Sequence, residues 1–244
     1  CAVLSLSTAA VCDLAMGLYD GKETGETALL RTLLNGFTPG EIVVFDRYYC
    51  SYMMLATMAG RGVDVCTRLH QARDEDFRQG RPLGPYDRLV TWTRPPRPEW
   101  MTPEHYEQIP QTLTLRLIRL DVKEPGRRIE TITIVTTLID PDAYSADDIA
   151  ELYGYRWCAE LDIRDVKQTL GLDHLRCKSS HMVERELWVT LLAYNLIRKV
   201  IATAAVVHER QPRQIGFTLA CQTILSSWMV MASGCCRSEE TYVQ

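Results

Sequence analysis

Five residues in the stretch YGYRWCAELDIRDVK carry the chemistry most worth weighing: Tyr153, Arg156, Glu160, Arg164 and Lys167. At ~100° of rotation per residue a helix would gather them into one narrow polar stripe. Leu152, Ala159, Ile163, Val166 and Leu170 would form a second, packed stripe beside it. Arg156 and Arg164 each stand four residues from Glu160, a spacing that also suits a solvated salt-bridge ladder. The alternative is a carboxylate that binds a metal, flanked by groups that grip phosphate. Arginine offers phosphate a planar fork, lysine a point charge and tyrosine a hydroxyl.

A second carboxylate would favour the metal reading, and Asp46 supplies one. It closes the apolar run Glu41 to Asp46 that follows a Pro-Gly turn, a pattern that predicts a buried strand. Chemistry in α/β sheets collects at strand ends, although an aspartate here also suits a cap or turn. Asp46 and Glu160 together could hold Mg²⁺ or Mn²⁺, hard cations that take oxygen ligands. Two such ions would serve in-line displacement at phosphorus, for which a third carboxylate is normally needed. Upstream of Asp46 stand only Asp13 and Asp20, both read as hairpin or loop residues.

The elements that must position these groups follow from turns and periodicity. Residues 1–5 and 11–18 read as a hairpin of two strands. Glu26 onward opens a helix stopped at Asn35-Gly36, and a helix from about Ser51 and a strand from Val63 follow the Asp46 strand. Residues 71–138 turn rich in charge, glycine and proline, with short β-like pieces at 89–93, 113–122 and 129–138 around turns such as Pro125-Gly126. Trp92 and Trp100 lie beside arginines there, in places that suit packing of a small β unit or stacking on bases. Ser145 and Asp148 form a capping-box pattern that starts the key helix, expected to run to about Leu170 and stop at Gly171. Two apolar helices, about 182–207 and 215–231, should pack beneath it. The expected class is therefore α/β: core residues 1–70, a β-rich insertion over 71–138, the core helix within 139–178 and C-terminal helices over 179–244.

Composition narrows the function classes. Of 244 residues 46% are hydrophobic and 24% charged, with a net charge of −4, ordinary for a chain with a real core. That balance excludes a whole-surface, charge-driven nucleic-acid binder while allowing a local basic groove. Nine cysteines lie scattered without a CxxC pair, which suits free thiols in a reducing, cytoplasmic protein rather than a zinc site or a disulfide framework. No apolar run reads as long and uncharged enough to span a membrane.

The spacing Tyr153-x2-Arg156-x3-Glu160-x6-Lys167 resembles the Y-R-E-K signature of bacterial DDE transposases of the insertion sequence 4 type. FDRYYCSY around Asp46 resembles the segment bearing that family's second catalytic aspartate. GKETGETALLRTLL, RCKSSHMVERELW and LLAYNLIR are also similar to it. The resemblance implies a ribonuclease-H-like mixed sheet interrupted by the β-rich insertion. It implies Asp46 and Glu160 as catalytic metal ligands, with Tyr153, Arg156 and Lys167 on transposon-end phosphates near the scissile bond. It further implies Mg²⁺ (with Mn²⁺ as substitute), double-stranded DNA at transposon ends and target, and a homodimer on paired ends. The family's first catalytic aspartate lies in a DGT-like first strand. With residues 1–18 read as the second and third strands, the expectation is an amino-terminally truncated chain whose three-carboxylate site is incomplete. A DNA-binding or dimerising remnant and a D-(D/E)xK nuclease built on Asp165-Val166-Lys167 are the rival readings.

Overall fold

The computed structural model describes residues 1–17, 24–73, 76–122 and 130–233. Asp20, the Pro125-Gly126 turn, Arg127-Arg128 and Cys235-Cys236 lie outside the described residues. In chain order the strands and helices are β1 (Ala2–Leu4), β2 (Val11–Leu14), α1 (Glu26–Leu33), β3 (Ile42–Phe45), α2 (Tyr52–Gly60), β4 (Asp64–Arg68), β5 (Arg81–Gly84), β6 (Asp87–Thr93), α3 (Pro103–Gln108), β7 (Thr112–Val122), β8 (Glu130–Thr136), α4 (Ala146–Gly154), α5 (Arg156–Arg164), α6 (Ser180–Val207) and α7 (Phe217–Ala232). The chain is mixed α/β and divides into two compact units. One holds Cys1 and 15–156, the other 2–14 and 157–244.

The first unit is built on a six-stranded mixed sheet of order β3-β4-β8-β7-β6-β5. β3 and β4 run parallel and the remaining neighbours antiparallel. A parallel pair needs a crossover, and α2 provides it. Ser51 caps α2 by accepting the Met54 amide at 3.3 Å. Tyr52, Met53, Met54, Leu55, Ala56 and Met58 are all buried, as expected of a helix that is apolar all round. Truncating Leu55 or Met58 to alanine would cost about 2–5 kcal/mol. β4 is interior, flanked by β3 and β8, with Val65, Cys66 and Thr67 wholly inaccessible. The strands from 87–93, 112–122 and 130–136 form where sequence expected β pieces, whereas the short helix α3 inside that stretch was not foreseen. Arg116 on β7 is buried against Asp87, with Arg116 Nη2 donating to Oδ2 at 2.6 Å. Trp92 takes the packing role, being almost wholly buried, while Trp100 stays partly exposed under the Arg31 guanidinium.

In the second unit the β1–β2 hairpin packs with the turn 165–169, α6 and α7 around Val166, Leu191, Tyr194, Ile201 and Phe217. Ala9 turns the hairpin loop at a φ of 62°, and the Tyr194 hydroxyl donates to its carbonyl at 2.9 Å. Asn195 both donates to the Val11 carbonyl and accepts the Val11 amide, each at 2.9 Å. α6 corrects one expectation: by length and composition it is long and apolar enough to cross a membrane. Its charges are Glu184, Arg185 and Glu186 near the start and Arg198 and Lys199 further on, with the stretch 187–197 uncharged between them. Within this unit it buries Leu191, Tyr194, Arg198, Ile201 and Ala205, the three-and-four spacing of a helix packed along one stripe.

Candidate active site

Asp46 follows the last residue of β3 and caps the short 3-10 turn Arg47–Tyr49, its Oδ1 accepting the Arg47 amide at 2.6 Å. The sequence left cap and site as alternatives; the carboxylate caps with one oxygen and keeps the other for a neighbour. That other oxygen lies 4.0 Å from Arg156 Nη1. Thr67 on β4 holds the strand end by donating to the Asp46 carbonyl at 3.1 Å.

α4 brings Tyr153, and the start of α5 brings Arg156, to the same place. Ser145 Oγ accepts the Asp148 amide at 3.1 Å and Asp148 accepts the Ser145 amide at 2.9 Å, the reciprocal cap that the sequence pattern predicted. Hydrogen bonds from Ser145 hold the Asp148 carboxyl below its usual range. Ile149, one residue on, locks the helix onto Cys66, Ile118, Ile132 and Ile134 of the sheet. The Tyr153 phenol is half-buried, and desolvation pushes its proton affinity up; the Arg156 charge opposes this, Asp46 adds to it and Arg68 opposes it. Such mutual influence places Asp46, Tyr153, Arg156 and Arg68 in one neighbourhood. The Arg156 guanidinium carbon stands 6.0 Å from the centre of the Tyr153 ring.

The single helix expected from 145 to 170 is interrupted. α4 ends at Gly154, with the Tyr155 amide shared among the Glu151, Leu152 and Tyr153 carbonyls. Glycine weakens a helix interior by about 1 kcal/mol. From Asp165 to Thr169 the helix widens into a π turn, and Gly171 closes it at a φ of 73°, a left-handed value glycine adopts without strain. Tyr153 and Arg156 therefore belong to the first unit, Glu160, Arg164 and Lys167 to the second, where all three are exposed.

The packed stripe also needs correcting, because Ile163 is 41% exposed. Its neighbour Asp162 turns inward instead and is 2% exposed. Asp162 accepts from Arg198 Nη2 at 3.2 Å and from Arg213 Nη2 at 2.9 Å. Asp165 accepts from Arg198 at 3.1 Å, while Arg198 Nε donates to the Tyr194 hydroxyl at 2.9 Å. Arg213 also donates to the Ser5 and Leu6 carbonyls of the hairpin loop. Sequence reasoning missed this cluster, because its arginines come from α6 and the Pro212–Gln214 turn, far along the chain. It pins the segment bearing Glu160 and Lys167 to the rest of its unit.

Asp13 lies in β2 and accepts the Leu14 amide at 2.8 Å, a local role in keeping with a hairpin residue. Asp165-Val166-Lys167 lies in the π turn, so the strand that a D-(D/E)xK nuclease requires is not there. Among the described residues no three His, Cys, Asp or Glu side chains group as metal ligands. Asp46 and Glu160 nevertheless fit a hard cation in kind, as accessible carboxylate oxygens.

A family model described as a transposase DDE domain matches residues 5–196, well over half of the chain. The chain belongs to the transposase DDE domain family. Among curated relatives, the transposase InsG of insertion sequence element IS4 from Escherichia coli (strain K12) is 25% identical over 221 residues, covering 89% of this chain and 48% of InsG. The transposase of insertion sequence element IS421 from Escherichia coli is 35% identical over 68 residues, 28% of this chain and 18% of that relative. This DDE-domain chain thus spans about half the length of InsG.

Proposed function

We propose that this chain is catalytic-domain sequence of an insertion-sequence transposase that cuts and joins DNA at element ends by divalent-metal-dependent phosphoryl transfer. The observation that carries the reading is Arg156 and Tyr153 converging on Asp46 at the end of a sheet strand, inside residues matched by the DDE-domain family. A ribonuclease-H-like core interrupted by a β-rich stretch over 71–138 is the fold assignment that goes with it. The domain division of 1–70, 71–138, 139–178 and 179–244 belongs to the same proposal.

Asp46 and Glu160 are the residues we assign to hold the metal, Mg²⁺ with Mn²⁺ as a substitute. When bound, the ions would activate water or a 3′-hydroxyl and stabilise the leaving oxygen. The chain's own groups position the DNA. Arg156 presents a planar fork to a phosphate beside Asp46, and the Tyr153 hydroxyl, kept protonated, donates to a second oxygen. Lys167 and Arg164, exposed on the Glu160 segment, contribute point and fork charges to the backbone. Arg198 and Arg213 hold the Glu160 segment through Asp162 and so fix where its carboxylate points.

A homodimer acting on paired ends, in the bacterial cytoplasm and on the nucleoid, completes the proposal. The exposed apolar residues Val189, Leu192, Leu196 and Val200 on α6 support a partner surface. The deciding experiment is a strand-cleavage assay on duplex DNA with Mn²⁺, comparing the chain with Asp46→Asn and Glu160→Gln. Cutting that each substitution abolishes supports the reading. Cutting that survives both overturns the site.

A further inference from the structure

Outside the Asp46 neighbourhood, His70, Arg73 and Arg119 line a concave cleft of about 180 Å³ in the first unit, floored by Thr131 and Thr133 of β8, with no carboxylate among the described residues of its wall. The construction is specific. Arg119 faces Thr133 across the β7–β8 ladder. The residues after β4 turn back tightly, the Arg73 amide donating to the His70 carbonyl at 2.9 Å. The Ala72 amide donates to His70 Nδ1 at 3.1 Å, so Nε2 carries the ring proton and is a donor.

Both arginines are stacked. The Arg73 guanidinium lies 4.1 Å from the centre of the Trp92 ring and that of Arg119 4.0 Å from the centre of Phe77. Stacking spends the faces of a guanidinium and leaves its five edge N–H donors for a ligand in the plane. Among the described residues neither guanidinium donates a hydrogen bond or forms an ion pair. The cleft is thus rich in half-buried donors and pre-ordered by aromatic rings. Such a set matches the oxygens of a singly charged phosphodiester.

Its position points to the source of that phosphate. Arg68 lines the same cleft and follows Thr67, the partner of Phe45 in the parallel β3–β4 register, so the cleft opens beside the strand end that carries Asp46. We propose that His70, Arg73 and Arg119 hold a backbone phosphate of the DNA strand that runs past Asp46, away from the bond that is cut. This rests on the functional reading above, which makes DNA the partner.

The test uses the whole chain with a 20-base-pair duplex and, separately, with inorganic phosphate. DNA binding is followed against salt concentration for the chain and for Arg73→Gln, Arg119→Gln, the double variant and Arg119→Lys. His70 is followed by its imidazole NMR signals, assigned by His70→Asn. Each glutamine should lower the slope of log K against log salt by about 1 and the pair by about 2. Arg119→Lys, which keeps the charge and guards against a folding artefact, should retain most of the slope. Duplex should move the His70 signals. Unchanged slopes in the glutamine variants, while Arg156→Gln lowers its own, would overturn the cleft and leave the transposase reading standing. Signals moved by phosphate but not by duplex would mark a free-anion pocket and overturn the DNA assignment. A chain that binds no duplex at all would overturn both.

Discussion

The Arg156 guanidinium lies 4.0 Å from the Asp46 carboxylate, joining the start of α5 to the end of β3. The contact is too long and too exposed to contribute much stability, since surface pairs are worth about 0–1 kcal/mol. Under the proposed function its value is in recognition. Arg156→Ala should leave the urea midpoint nearly unchanged yet weaken duplex binding and lower its salt slope by about 1. A salt titration by fluorescence anisotropy reads this directly, and an unchanged slope would remove Arg156 from the phosphate contacts.

The Asp162 cluster predicts the opposite behaviour. Asp162 and Arg198 are both almost fully buried, so removing one partner strands a charge in a poorly solvated place. Asp162→Ala should destabilise the chain by about 3–5 kcal/mol. Equilibrium urea unfolding checks this, and a loss below about 1 kcal/mol would mean that water reaches the cluster.

Alkaline pH should weaken the fold through buried acids. Burial pushes the Tyr194 phenol up to about 12. An unfolded tyrosine titrates near 10, so above that pH the unfolded chain sheds its proton first. Stability from this group is full below about pH 10 and falls as pH climbs toward about 12. Cys66, pushed by burial from 9.0 to about 12, acts in the same direction from about pH 9. Tyr194→Phe should flatten part of the decline when unfolding free energy is measured at pH 9, 10 and 11. A decline as steep as before would assign it to other groups.

Thiol reactivity should follow burial. Cys66 is inaccessible and Cys12 exposed. A thiol raised from about 9 to about 12 keeps on the order of 1,000-fold less thiolate near neutral pH. Under native, reducing-agent-free conditions a disulfide reagent should label Cys12 in the first phase and Cys66 only on unfolding. Early labelling at Cys66, read by peptide mass, would contradict its burial.

Local chemistry was the part of this chain legible in sequence. The Ser145–Asp148 cap, the strand ending at Asp46, the all-apolar α2 and the hairpin around residues 7–9 each rest on contacts between near neighbours. What escaped depended on distant partners. Asp162 reads as one more charge on a polar helix until Arg198 and Arg213 arrive from α6 and the turn beyond it. Their arrival turns Asp162 inward and Ile163 outward, reversing the periodicity. The interruption at Tyr155 and the π turn at 165–169 escaped as well, because constant rotation was assumed across Gly154. Asp46 and Arg156 were both singled out from residue type; their proximity required the sheet and α4 to be placed.

In the proposed site Asp46 and Glu160 hold the divalent ions. Mn²⁺ binding to the whole chain, followed by loss of the free-ion electron paramagnetic resonance signal, tests this assignment without relying on catalysis. Asp46→Asn and Glu160→Gln should each weaken binding at least tenfold while Asp13→Asn should not. Equal binding by all four proteins would contradict it.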